Sequence, residues 1–147
     1  PDFDDIEAED RAMAQAKARG VTHVIFGDLF LEDLRAYRMA RLAEIGMQAA
    51  FPLWQRPTNL LAREMIGSGL SAHLATVDLS RLSQSFSGRR FDERLLSDLP
   101  QDVDPCGENG EFHSFVTAGP MFDRAIAVTV GETVIREGFA YTDLLPG

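Results

Sequence analysis

The sequence holds a single cysteine, Cys106, so no disulfide can form within the chain and its fold must rest on packing and hydrogen bonds. No apolar run approaches the roughly 20 residues that a membrane-spanning helix needs. The first residues also lack the basic, apolar, small-residue pattern of a secretory leader. A soluble, cytoplasmic protein with no membrane partner is therefore expected. Positive charge is scarce: 14 Lys and Arg stand against 23 Asp and Glu, a net charge of −9, with acidic residues concentrated at 2–10 and 92–104. Such a field repels a phosphate backbone, so nucleic acid is not expected as a partner. Tryptophan is nearly absent, Trp54 being the only one.

What is present reads as an α/β chain. Residues 6–19 are rich in Ala, Glu, Lys and Arg and stop at Gly20, the pattern of a helix with a glycine at its carboxyl end. Residues 21–26 form a short β-branched run bounded by Gly27-Asp28, as a buried parallel strand would be. The alternation continues with helices at 31–45 and 58–66 and strands at 48–53 and 71–77. Strands separated by helices imply right-handed βαβ units and a parallel sheet with helices on both faces. After Asp78 the pattern changes. Residues 80–104 are polar and irregular with a short helix at 92–99, and strands at 112–116, 126–130, 133–136 and 139–142 are separated by Gly-containing turns. The expected organisation is residues 1–79 as the α/β part and residues 80–147 as a small mixed or antiparallel β-rich domain.

The stretch Asp104-Pro105-Cys106-Gly107-Glu108-Asn109-Gly110-Glu111-Phe112-His113-Ser114 concentrates chemistry. Its glycines permit positive φ, while Glu, His and Cys move protons or hold metals. Glu108, Glu111 and His113 are candidates for general acid or base, or for a divalent metal site with Cys106; the alternative is a polar hairpin entrance with solvated carboxylates. If Glu111 opens a strand, it shares a face with His113. Gly27-Asp28 lies where open parallel sheets bind ligands, at a strand's carboxyl end. Asp28 suits a ribose, a magnesium ion or an amine, or else caps the next helix. Trp54 suits stacking on a base or simple packing. Arg35 and Arg38 are candidates for holding phosphate or carboxylate against an exposed helix face, and Arg41, Arg89 and Arg90 add to the local basic clusters. His23 and His73, inside apolar strands, read as hydrogen-bonded core histidines.

Taken in order, Gly27-Asp28-Leu29, Glu32, Arg35, Gly46-Met47, Pro52-Leu53-Trp54 and Cys106-Gly107-Glu108-Asn109-Gly110-Glu111-Phe112 resemble the diphthine–ammonia ligase family of N-type ATP pyrophosphatases, the adenine nucleotide alpha hydrolase-like proteins. The resemblance implies a Rossmann-like sheet, incomplete at its N-terminal side, followed by a smaller substrate-binding domain. It implies ATP with Mg2+ as cofactors and an amidation in which a carboxylate, on a small molecule or a protein, is activated as an acyl-adenylate with AMP as leaving group. Gly27 and Asp28 would border the nucleotide. Glu108, Glu111 and His113 would be catalytic, and Arg35, Trp54, Cys106, Gly107, Asn109 and Gly110 would contact substrate, with no resident metal. Family members open with a Ser-Gly-Gly-x-Asp-Ser loop that grips the ATP phosphates, and these 147 residues contain none, so ATP cleavage is expected only where that loop is supplied. The usual Glu-Gly-Gly-Glu-Tyr-Glu is here Glu108-Asn109-Gly110-Glu111-Phe112-His113, which alters the charge of the acceptor loop. The Ala-, Arg- and Leu-rich composition is of bacterial type. A binding module that keeps only the acceptor pocket is the alternative expectation, and an unpaired sheet edge favours a homodimer.

Overall fold

The computed structural model describes residues 3–147, with side chains from Arg11 onward; Pro1 and Asp2, and the side chains of the acidic run at 2–10, lie outside the described residues. Two compact units divide the chain, Pro1–Gln55 and Arg56–Gly147.

In the first unit, helix α1 (Phe3–Ala18) runs to Gly20, whose φ of +89° ends it as the sequence implies. Strand β1 (His23–Ile25) pairs in parallel with β2 (Gln48–Ala50), and helix α2 (Glu32–Glu44) connects them. The ladder is extended by Gln48 N–H to Thr22 O and Phe26 N–H to Ala50 O, both 2.9 Å. Leu29, Leu42 and Met47 are buried here, whereas Ile25 on β1 is 73% exposed. His23 is also exposed, with only the neighbouring Thr22 hydroxyl 2.9 Å from its Nδ1, so it is not the core histidine expected from its apolar surroundings.

The second unit begins with helix α3 (Thr58–Gly67) and strand β3 (Ser71–Asp78), then a 3-10 turn (Gln84–Phe86), helix α4 (Glu93–Asp98) and strands β4 (Phe112–Ala118), β5 (Val128–Arg136) and β6 (Phe139–Pro146). Its four strands make one antiparallel sheet in the order β4-β3-β6-β5. The expected strands at 126–130 and 133–136 are one strand, β5, interrupted by a register shift between Val130 and Thr133.

The α/β class and the β-rich C-terminal part are as expected, but β3 is not a strand of the parallel sheet. It pairs antiparallel with β4 and β6, and the compact units divide between Gln55 and Arg56 instead of near 79/80. The physical reason is visible along β3. Ala72, Leu74 and Val77 are buried while His73 and Thr76 between them are only partly so, the one-sided burial typical of an antiparallel strand. The bulge between Leu74 and Thr76 returns Val77 to the core face.

That face carries the core: Ala62 of α3, Leu82, Phe86, Phe91, Leu95 of α4, Val103, Phe112 and Ala140 pack with Ala72, Leu74 and Val77. The segment 80–104, polar by composition, therefore supplies five of the core side chains and is not a loose connection. Asp92 caps α4 by accepting from Leu95 N–H at 2.8 Å.

Candidate functional site

The loop 104–111 is organised by two carboxylates that point inward. Asp104 Oδ2 accepts from Cys106 N–H at 3.2 Å and Glu108 N–H at 3.0 Å, an Asx-type turn. Glu111 is fully buried, at 0% exposure. Its Oε1 accepts from Asp104 N–H (3.0 Å) and Asn109 Nδ2–H (3.1 Å), and its Oε2 from Asn109 N–H (3.0 Å). Arg81 lies 4.0 Å from Oε1, and the Glu111 carbonyl accepts from Asp78 N–H at 3.0 Å, joining the loop to the end of β3. Burial pushes the Glu111 carboxyl upward, but the backbone amides of Asp104 and its neighbours and the Asn109 side chain outweigh it, so the pKa is lowered and the group is held ionised.

Two glycines make the loop's turns. Gly107 has φ +70°, and a Cβ there would stand 2.9 Å from Phe112 O and 3.0 Å from its ring; Gly110 has φ +83°. Cys106 donates its thiol to Thr58 O at 3.4 Å. Its own burial, followed by the charges of Asp104 and Glu108, pushes the Cys106 thiol up to about 12. At neutral pH it is a protonated tether and not a nucleophile or thiolate ligand. Among the described residues no group of three or more His, Cys, Asp or Glu side chains is placed to hold a metal.

The structure thus separates residues that sequence reading grouped together. Glu111 precedes β4 and points into the loop, while His113, one residue into the strand, is exposed; the two do not share a face. Glu108 is half-buried, and Asn109 and Gly110 are exposed. His113 is thus an outward group on β4 and Glu108 is partly exposed, while Glu111 fixes Asn109 and the backbone at Asp104. Asp104 is the organiser that composition did not single out; its signal is an Asp placed two residues before Cys106 and four before Glu108, the spacing of a side chain that captures its own following amides.

The first unit holds a second constellation. Phe26, Phe51 and Trp54 pack in sequence, with ring centroids 5.5 Å and 6.0 Å apart. The Arg35 guanidinium lies over Phe51 (5.2 Å) and Trp54 (4.7 Å), and that of Arg38 over Phe26 (4.4 Å). Asp28 does not cap α2, whose first flanking residue is Leu31 without a side-chain cap. Instead Asp28 Oδ2 sits 2.9 Å from Arg38 Nε, off the angle that a hydrogen bond requires. Asp28 Oδ2, Arg35 Nε and Arg38 Nε are the buried side-chain polar atoms left without a hydrogen-bond partner among the described residues. Buried polar atoms without a hydrogen bond are costly; here Asp28 follows β1, Arg35 and Arg38 lie on α2, and Asp28 and Arg38 offset each other's charge as an ion pair. Arg41 is paired with Glu44 at 3.1 Å. His73, half-buried on β3, has its Nδ1 3.2 Å from Gly88 O.

A short parallel α/β unit followed by an antiparallel domain, with a carboxylate-stapled glycine loop leading into β4, defines the class. Residues 57–144, almost the whole of the second unit, match the diphthamide synthase C-terminal domain family. The chain belongs to this diphthine–ammonia ligase-like family. It is similar to the diphthine–ammonia ligase of Homo sapiens, with 32% identity over 117 residues covering 76% of this chain and 44% of the human protein. Against that of Danio rerio the identity is also 32%, covering 76% and 46%. Against that of Schizosaccharomyces pombe it is 30% over 109 residues, covering 69% of this chain and 18% of the yeast protein. The chain spans less than half the length of these relatives. Among the described residues no helix is long and apolar enough to cross a membrane.

Proposed function

We propose that the protein acts in an ATP-dependent amidation of a carboxylate, forming AMP through an acyl-adenylate, with the Gly107–Gly110 turn as the acceptor-facing element. Its membership of the family supports the amidation, and the loop geometry supports the assignment of roles: two carboxylates, Asp104 and Glu111, hold the backbone while His113 is exposed and Glu108 partly so. ATP supplies, when bound with Mg2+, a leaving group for an oxygen that otherwise leaves very poorly. Asp28, just after β1, and Arg35 and Arg38 on α2 fit one part of a nucleotide or carboxylate site, because Arg35 Nε has no hydrogen-bond partner beside an aromatic shelf that includes Trp54 and the Asp28–Arg38 ion pair lacks hydrogen-bond geometry. Gly27, exposed and with no atom within 4 Å of where a Cβ would stand, leaves the backbone open there. His113 or Glu108 receives the proton released as the attacking amine becomes an amide.

The test is a product assay on a version carrying the family's Ser-Gly-Gly-x-Asp-Ser strand and loop upstream, given ATP, Mg2+, ammonium and a panel of carboxylates. Acceptor-dependent AMP and pyrophosphate are expected. ADP and phosphate in their place would overturn the reading.

A further inference from the structure

A second basic cluster is left over by the amidation reading and does not rest on it. Arg89, Arg90 and Arg94 line one cleft of about 300 Å3 together with Asp92 and Asp98. The two carboxylates are already engaged. Asp98 Oδ2 takes Arg89 Nη2 at 2.7 Å, and Asp92 Oδ1 caps Leu95 N–H at 2.8 Å. Among the described residues neither Arg90 nor Arg94 has an ion-pair partner within 4.0 Å, in a chain whose net charge is −9. With three arginines against two aspartates the cleft keeps a formal charge of +1 in a chain whose carboxylates are in excess.

The backbone that carries Arg89 and Arg90 is also held in place. Residues 88–91 run beside β3, with Gly88 N–H to Leu74 O (2.7 Å), Leu74 N–H to Arg89 O (2.9 Å) and Phe91 N–H to Ala72 O (2.8 Å). His73 and Arg90 form an antiparallel bridge, and the buried Phe91 and Leu95 anchor the segment on either side. Arg89 is fixed by Asp98 and by the Phe86 ring, 5.0 Å from its guanidinium carbon. The two guanidinium forks of Arg90 and Arg94, beside the Asp98-paired Arg89, match a phosphate, which presents oxygens in several directions, better than a single carboxylate.

We propose that the cleft lined by Arg89, Arg90 and Arg94 binds a phosphate group, free or as a monoester. The experiment is titration of the 15N-labelled 147-residue chain with sodium phosphate at constant ionic strength, read by amide and arginine Nε–H shifts, beside the R90A/R94A variant and the single R94A variant. Both side chains are exposed, so the variants should keep the fold, and far-UV dichroism checks it. Saturable shifts at residues 89–95 are expected, with affinity lowered roughly tenfold or more in R90A/R94A and by an intermediate factor in R94A. Glycerol 3-phosphate titrated in the same way separates the two sources, since tighter binding than phosphate assigns the cleft to an ester and weaker binding to the free ion. Shifts that never saturate, that persist unchanged in R90A/R94A, or that fall only around Arg35 and Arg38 would overturn the proposal.

Discussion

At the scale of single residues, Glu108 and Glu111 of the 104–111 loop have opposite characters although they stand three positions apart. Glu111 is spent on three hydrogen bonds inside the protein, whereas Glu108 and His113 lie toward the outside. Glu111→Ala should therefore cost stability as well as activity, on the order of 2–4 kcal/mol, because buried amides lose a charged acceptor. His113→Ala should leave the urea midpoint unchanged within error while lowering turnover in a version that carries the phosphate loop. Parallel urea melts and product assays distinguish the two. The depressed Glu111 carboxyl also sets a pH dependence: its contribution is present above the unfolded pKa of about 4.3 and is lost as pH falls toward the lower folded value. Glu111→Gln should accordingly flatten the loss of stability below about pH 4. Cys106, pushed up to about 12, should react with iodoacetamide at pH 8 at least about a hundredfold more slowly in the native protein than in urea. Near-equal rates would contradict the tether to Thr58.

At the scale of elements, the loop depends on its turn chemistry. Gly107→Ala would set a Cβ 2.9 Å from Phe112 O at φ +70°, and a loss of about 2–3 kcal/mol is expected by thermal or urea unfolding. Glycine's role here was legible in the sequence, as were the helices α1 to α4 and the strands of the second unit, because caps, glycine stops and β-branched runs are local signals. The partners of β3 were not. A strand after a helix reads as parallel by alternation, yet pairing is decided by segments 35 to 65 residues away, β4 and β6, and only the one-sided burial along Ala72, His73 and Leu74 hints at it. The inward turn of Glu111 was hidden for a similar reason. Strand period puts Glu111 and His113 on one face only if both lie in the strand, and β4 begins one residue later, at Phe112. The polar look of 80–104 concealed Leu82, Phe86, Phe91, Leu95 and Val103, whose spacing follows neither a helical nor a strand period.

At the scale of the whole molecule, the two units differ in how they are held. The second has a four-stranded sheet and a continuous core built from its own residues, whereas the first has a two-stranded sheet of three residues per strand with Leu29, Leu42 and Met47 as the buried apolar side chains among its described residues. Two-stranded sheets are marginal by themselves. Hydrogen exchange should therefore show β3 and β6 amides protected by close to the global unfolding free energy and β1 and β2 amides exchanging far sooner. Uniform protection across both units would refute this. Asp28, Arg35 and Arg38 all belong to the first unit. The central claim, that this family member works on ATP, is tested most directly by calorimetric titration with ATP and Mg2+ of the chain beside the version carrying the Ser-Gly-Gly-x-Asp-Ser loop. Saturable binding in the loop-bearing version, weakened by Asp28→Ala and Arg35→Ala, is the predicted result; absence of binding in both, or binding indifferent to those two substitutions, would contradict it.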